Sequence, residues 1–260
     1  MKRVIPAVVL MGMVMGFFSG CGGQKIDYKT ATLEQIYQPY GVKSGIIKYK
    51  YGGDQLGIQE LYFDDYGWKQ VIYYEKAPAH DPNLVMKGLD IIMPDYIISI
   101  NMVKMEGSKR PNVMFLTLKQ IWDATPPDQR MELGPKIQKF TKQMNLGLAY
   151  RDYLVNMSEE SSVYQDVAGK KCEVYKLMNG DMRLFVWNKI VLGTEFLSPK
   201  GQTIKLEATD FQDNVPIPAE KYNVPSGVTL KEYTMDSLYV RNERIFIRQL
   251  LSHYLGLAEY

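Results

Sequence analysis

The chain has 260 residues, with 31 basic and 29 acidic side chains, a formal net charge of +2 and 46% hydrophobic residues. A balance this close to neutral argues against a nucleic-acid partner, because phosphate binding requires a concentrated basic surface. The length allows one large domain or two small ones, and we predict one.

The first residues have the pattern of a secretory signal. Lys2 and Arg3 precede residues 4–18, an uncharged and mostly apolar stretch that is too short for a comfortable transmembrane span. Phe18-Ser19-Gly20-Cys21 then resembles the lipobox of bacterial lipoproteins, with Phe18 where that family prefers Leu. The resemblance implies cleavage of a signal peptide, residues 1–20, and acyl chains such as palmitate on Cys21. The alternative is ordinary cleavage that leaves a free thiol at Cys21.

Two or more acyl chains would hold the protein on a membrane almost permanently, so Cys21 is the predicted contact with the membrane. Removal of residues 1–20 takes away two basic side chains and leaves a charge near zero. Gly22 follows the lipid site, and by resemblance to the sorting rules of diderm bacteria this implies the cell outer membrane, facing the periplasm. We interpret residues 21–43 as a lipidated tether and lead-in, with a weak helix at 32–37.

The first half of the chain predicts an antiparallel meander. Apolar residues alternate with polar ones, as in half-buried strands, and Asp- and Gly-containing turns separate the runs. The predicted strands are 45–51, 58–64, 68–75, 96–104 and 112–118, with a proline-rich loop at 77–94 and a turn at 106–109.

A helix follows this meander, and the second half returns to strands. Leu133, Ile137, Phe140 and Met144 recur at helical spacing. The strands predicted after this helix are 162–167, 171–177, 182–187, 190–197 and 203–211. A proline-rich segment at 215–227, which either runs over the surface or closes one end, and a C-terminal amphipathic helix at 242–257 follow them. That last helix either packs on its own domain or binds a partner or the membrane surface.

Cysteine usage excludes an internal disulfide once Cys21 is lipidated, because Cys172 is then the only thiol left. Cys172 lies in a strand-like run and is predicted to be buried as a small hydrophobic residue.

The second half also resembles the outer-membrane lipoprotein carrier LolA and its relatives. The resemblance is good over about residues 160–230 and is only architectural over 45–120. It is carried by Val167-Ala168-Gly169-Lys170-Lys171-Cys172, Phe185-Val186-Trp187-Asn188, Leu192, Gly193, Glu195, residues 205–210, Val215-Pro216-Ile217-Pro218, Tyr222, Val224, Pro225 and Gly227. This chain departs from the carrier in being lipidated itself, and no residue matches the carrier's partner-docking arginine.

The LolA resemblance implies a mainly β (α+β) fold, a strongly curved antiparallel sheet that forms an open half-barrel, with a mid-chain helix and a C-terminal helix. We place the half-barrel at residues 44–235 and the C-terminal amphipathic helix at 236–260. An open curved sheet leaves a concave apolar face on which an acyl chain could lie. Flexible methionines suit such a site, and Met93, Met102, Met105 and Met114 are the predicted ligand-binding residues; packing in an irregular core is the alternative.

Motifs of enzymes are missing from the sequence. His80 and His253 have no metal-ligand spacing, and there is no GxSxG, P-loop or GxGxxG motif, so neither a metal nor a cofactor is predicted. The predicted function is a lipid-anchored, non-enzymatic envelope lipoprotein that binds a lipid or acyl ligand. The alternative is a structural or interaction module with a filled interior that docks another envelope protein.

Overall fold

The computed structural model describes residues 26–145, 159–177, 180–198 and 201–257. The predicted signal peptide and Cys21 lie outside these residues. Within them the strands are β1 Gly45–Gly53, β2 Gln55–Asp64, β3 Lys69–Pro78, β4 Met86–Ile92, β5 Tyr96–Asn101, β6 Glu106–Pro111, β7 Glu159–Val167, β8 Lys170–Leu177, β9 Met182–Trp187, β10 Ile190–Leu197, β11 Thr203–Asp213 and β12 Thr229–Glu232. The helices are α1 Leu33–Ile36, α2 Val113–Ala124, α3 Pro127–Asn145 and α4 Leu238–Leu255.

All twelve strands belong to one sheet, in the order β12-β6-β5-β4-β3-β2-β1-β11-β10-β9-β8-β7. Every neighbouring pair is antiparallel except β12 and β6, which are parallel, so the sheet is mixed rather than purely antiparallel. The sheet is not closed, because β12 and β7 are its two edges. The pairing of β1 with β11 joins the two halves of the chain, and the mainly β class with mid-chain and C-terminal helices is confirmed.

Three predictions in the first half are wrong. Residues 112–118 begin helix α2 instead of forming a strand, residues 106–109 belong to β6 instead of a turn, and the predicted loop at 77–94 contains β4. A short apolar run cannot be distinguished from a buried helix by composition. Here the Asn112 side chain accepts a hydrogen bond from the Phe115 backbone N–H at 3.3 Å and caps the helix.

The other predicted strands and the three predicted helices are present with shifted ends. The strand predicted at 96–104 stops at Asn101, and α4 begins four residues earlier than predicted. Helix α3 begins directly after Pro126, with Pro127 at the first helical position, where its missing N–H costs nothing, and it continues through Pro135. Helix α4 ends at Gly256, which has a φ of 66° and the left-handed conformation typical of a helix end.

The helices form one apolar core, which we call the helix core. Its buried members are Leu33, Ile36, Val113, Phe115, Leu118, Trp122, Leu133, Ile137, Phe140, Val240, Ile247, Leu250, Leu251 and Leu255, together with Ala31 and Trp68. Trp122 also donates its indole N–H to the Ala31 carbonyl at 3.2 Å, so its polar atom is satisfied inside the core. Trp68 comes from the turn between β2 and β3 and connects this core to the sheet.

One face of the first half of the sheet, the covered face, is buried. Its side chains are Tyr62, Val71, Leu89, Ile91, Ile98 and Ile100. Ile217, Tyr222, Val224, Val228 and Leu230 pack against them. The proline-rich segment predicted to run over the surface therefore covers this sheet face.

The two ends of β3 to β6 have different neighbours. These strands are antiparallel, so the reversals at residues 79–85 and 102–105 lie together, at what we call the turn end. The opposite end carries the reversal at 93–95 and the beginning of α2, and we call it the helix end. There Arg110 of β6 forms an ion pair with Glu243 of α4, with one guanidinium nitrogen 2.7 and 2.9 Å from the two carboxylate oxygens.

Candidate functional site

The sheet face opposite the covered face changes from apolar to polar along a single row of paired residues. The row runs across β1 to β6 through Ile47, Leu61, Ile72, Asp90, Ser99 and Ser108. Ile47 and Leu61 are buried in a second apolar core of the sheet, whereas Ser99 is exposed and Asp90 and Ser108 are half-buried. This face is therefore filled near β1 and β2 and open over β4 to β6.

A cleft of about 580 Å³ lies on this open part, at the turn end. Its apolar rim lies at the two reversals: Val85 precedes β4, Met86 is the first residue of β4, and Val103 follows β5. Val103 is 59% exposed and Met86 is 44% exposed. The other lining residues are Tyr74, Lys87, Asp90, Ser99, Ile100, Asn101, Lys104, Glu106, Gly107 and Ser108. The cleft thus combines an apolar rim with a polar floor.

Tyr74 is the aromatic part of the floor. Its ring lies across Gly88, where a Cβ would come within 2.2 Å of the Tyr74 Cζ atom, so a larger residue at this strand position would displace the ring. The Lys76 ammonium lies 5.6 Å from the centre of the Tyr74 ring and 5.1 Å from that of Tyr51. Burial, with the neighbouring carboxylate of Asp90, raises the pKa of the Tyr74 phenol, which stays protonated and able to donate at neutral pH.

The polar floor has unused hydrogen-bonding groups. Among the described residues, the side chains of Asp90, Ser99 and Ser108 form no hydrogen bond to another protein group. They offer one carboxylate acceptor and two hydroxyls that donate and accept. Asp90, Glu106 and Lys104 are the other charged groups of the lining, whereas the Lys87 ammonium is paired with Glu75 at 2.9 Å. The lining therefore has little net charge.

The turn that forms part of the rim is fixed by Asn101. Its side-chain oxygen accepts hydrogen bonds from the backbone N–H groups of Val103 and Lys104, each at 3.0 Å. This is the local Asx arrangement that holds a turn without help from the rest of the fold. The turn continues to Met105, which has a φ of 54°. Asn101 therefore sets the position of the Val103 side chain over the cleft.

The structure does not bring the four predicted methionines together. Met93 and Met102 pack against the covered face, and Met114 packs against the helix core. Met105 lies in the turn between β5 and β6, with its carbonyl 3.0 Å from the Thr229 backbone nitrogen. Their role in ligand binding stays a prediction, and the methionine that lines the cleft is Met86.

Cys172 is buried, as predicted, with none of its surface exposed. Burial raises the pKa of its thiol to about 11, so little thiolate is present at neutral pH. Among the described residues, no three His, Cys, Asp or Glu side chains converge in a way that could hold a metal ion. None of the described helices combines the length and apolarity that a membrane crossing requires.

The fold and the cleft define the chain as a mainly β protein with one open, mixed twelve-stranded sheet, a helix core at one end and a cleft at the other. No protein-family model matches the chain, and no curated protein sequence does so either.

Among solved structures, an uncharacterized conserved protein from Thermus thermophilus is similar with a TM-score of 0.44 and 9% identity, over 77% of this chain and 96% of that one. PNGF-II is similar in two crystal forms, with a TM-score of 0.31 and 9% identity, over 79% of this chain. The chain matches about a third of the length of PNGF-II, 34% and 33% in the two forms. At this level of likeness these proteins indicate no function for the chain.

Proposed function

We propose that this chain is a lipid-anchored, non-enzymatic lipoprotein of the bacterial envelope that binds an amphiphilic lipid or acyl ligand in the cleft at the turn end. The anchor is Cys21, which the lipobox-like residues before it support, and the proposed membrane is the outer one, facing the periplasm. The proposed shape of the open sheet is a LolA-like half-barrel, with the helix core at one end of its open face.

The cleft is the observation that carries this proposal. Ligand sites are concave, mostly have volumes of about 300–1,000 Å³, and combine apolar walls with a few polar groups. The cleft has about 580 Å³. Val85, Met86 and Val103 supply an apolar rim for part of an acyl chain, while Ser99 and Ser108 supply hydrogen bonds for a polar head.

The experiment is native mass spectrometry of the full chain, purified in mild detergent from bacterial membranes and followed by organic extraction of any bound molecule. The mass of the polypeptide shows independently whether Cys21 carries acyl chains. We expect one additional ligand mass per chain for the wild type.

Matched variants locate the ligand. Ser99→Trp places a large side chain on the exposed cleft floor, and Thr209→Trp places the same side chain at an exposed position of β11 outside the cleft lining. We expect Ser99→Trp to lose the ligand and Thr209→Trp to keep it, with circular dichroism showing that both are folded.

An empty wild-type chain that also takes up no fluorescent fatty acid would contradict ligand binding. The sheet would then be the structural or protein-interaction module of the alternative hypothesis. Retention of the ligand by folded Ser99→Trp would place the ligand elsewhere in the protein.

A further inference from the structure

Helix α4 has an exposed face with an unusual composition. Leu238, Arg241, Ile245 and Arg248 recur at spacings of three, four and three residues, so they share one side of the helix. Leu238 is 73% exposed and Ile245 is 57% exposed, while the two arginines are also exposed. The opposite side of α4 is buried in the helix core. This face is therefore both apolar and basic. The other apolar side chains of the helix, except Tyr239, are buried or half-buried.

The charge of α4 is one-sided. Its sequence contains Arg241, Arg244 and Arg248 but a single acidic residue, Glu243. Glu243 is occupied by Arg110 of β6, so it does not neutralise the exposed arginines. Apolar side chains flanked by arginines fit the surface of an anionic membrane, where the apolar groups enter the headgroup region and the guanidinium groups bind phosphates.

The start of the described chain connects this face to the anchor. Cys21 and Ile26 are five residues apart, a distance that an extended chain spans with at most about 18 Å. Ile26 packs against the helix core, and the Tyr28 hydroxyl donates to the Gln138 side chain of α3 at 2.8 Å. A lipid on Cys21 therefore places the bilayer next to the helix core, to which α4 belongs.

We infer that the exposed face of α4, formed by Leu238, Arg241, Ile245 and Arg248, rests on the surface of an anionic membrane. The orientation part of this inference rests on the proposed anchor at Cys21. The contact holds the helix core on the bilayer and fixes how the sheet is oriented above it.

The first test uses a fluorescent probe on the full, lipidated chain in vesicles. Ile245→Cys is labelled with an environment-sensitive maleimide dye, while Cys172 is buried and Cys21 carries acyl chains. The matched control is Ile58→Cys on β2, whose native side chain is 49% exposed. In vesicles of phosphatidylcholine with phosphatidylglycerol, we expect the dye at 245 to shift to the blue and to be quenched by nitroxide-labelled lipids. The dye at 58 should show neither change.

The second test removes charge without changing the apolar residues. Arg241→Gln with Arg248→Gln is compared with Lys48→Gln and Lys50→Gln, which remove the same charge from exposed positions of β1. Each basic residue near an anionic surface changes the membrane-binding constant by about fivefold. The binding constant of the α4 face for anionic vesicles should therefore be about 30-fold lower in the double arginine variant. The lysine variant should dock like the wild type.

The outcomes separate the anchor from the docking surface. A lipidated chain whose dye at 245 does not respond to anionic vesicles overturns the inference and leaves the anchor intact. A chain without acyl chains whose dye still responds leaves the inference about α4 and removes the anchor. A response that grows with protein concentration in the absence of vesicles would assign the face to a second copy of the chain and overturn membrane docking.

Discussion

Replacing Glu243 with Gln removes the charge that holds α4 against β6. The Arg110 nitrogen lies 2.7 and 2.9 Å from the two Glu243 oxygens, and the two side chains are only 22% and 24% exposed. A hydrogen bond to a charged group contributes about 1.5–3 kcal/mol when it is shielded from water. Because about a quarter of each side chain is solvated, we expect the free energy of unfolding to fall by about 1.5 kcal/mol. For a chain of this size that lowers Tm by about 3–6 °C.

Circular dichroism during thermal and urea unfolding measures this loss. A double-mutant cycle with Arg110→Gln isolates the pair, and we expect a coupling energy of about 1 kcal/mol or more. Asp123→Asn is the control, because the Lys119–Asp123 pair on α2 has the same kind of contact at 3.0 Å with side chains 46% and 57% exposed, and such pairs contribute little. Equal losses for Glu243→Gln and Asp123→Asn, or a coupling energy near zero, would refute the docking of α4 on the sheet.

Three further predictions concern the sheet, the thiol and the cleft. The Tyr49 hydroxyl donates to the Val191 carbonyl at 3.0 Å, so Tyr49→Phe should lower the free energy of unfolding, measured in urea, by about 1–2 kcal/mol. The control Tyr164→Phe changes a tyrosine that is 55% exposed and should leave this free energy unchanged. Equal effects of the two variants would contradict the hydrogen bond between Tyr49 and Val191. The folded Cys172 thiol holds its proton more tightly than the unfolded one, because burial raises its pKa to about 11. Its contribution to stability is therefore complete below the unfolded pKa and is lost as pH rises towards 11; maleimide should label it at neutral pH only in urea, and rapid labelling of the folded chain would disprove its burial. Asn101→Ala leaves two backbone N–H groups of the adjacent turn without their acceptor, so we expect the free energy of unfolding to fall by about 1 kcal/mol. The variant should also retain less ligand in native mass spectra. Unchanged ligand retention would contradict a role of this turn in the cleft.

Strands with alternating side chains were predictable because burial on one face leaves a period of two in the sequence. β1 shows this directly, since Ile47, Tyr49 and Tyr51 are buried while Lys48 and Lys50 are exposed. The pairing of β1 with β11 was not predictable in the same way. It joins residues about 160 positions apart, and no local pattern specifies such a partner.

The errors in the first half have a common physical origin in tertiary contacts. β6 reads Glu-Gly-Ser-Lys-Arg-Pro and has no apolar alternation, yet it pairs with β5 on one side and β12 on the other. β4 was not predicted because Pro78, Pro82 and Pro94 surround it and made residues 77–94 resemble a loop. Those prolines lie at the end of β3 or outside the strands, where the sheet needs no N–H donor.

The cleft could not be predicted from apolar ligand residues, because several of the methionines pack against apolar cores. One local pattern did contain the necessary information. In β5, Ile98 and Ile100 are buried on the covered face, while Ser99 and Asn101 point to the cleft face. That alternation predicts a solvent-exposed face of the strand. Only the pairing of Ser99 with Asp90 of β4 and Ser108 of β6 shows that the polar residues converge.

The start of the described chain and the cleft lie at opposite ends of the first half of the sheet. Ile26, the start of the described chain, packs on the helix core, whereas Val85 and Val103 surround the cleft at the turn end. With α4 on the bilayer, the cleft mouth would lie away from the membrane that holds the protein. A ligand would then arrive from the aqueous side or from a partner, rather than by sliding out of the anchoring bilayer. We therefore expect vesicles that contain the reconstituted protein to take up fatty acid from an added donor protein faster than from their own leaflet, and the reverse order would contradict this arrangement.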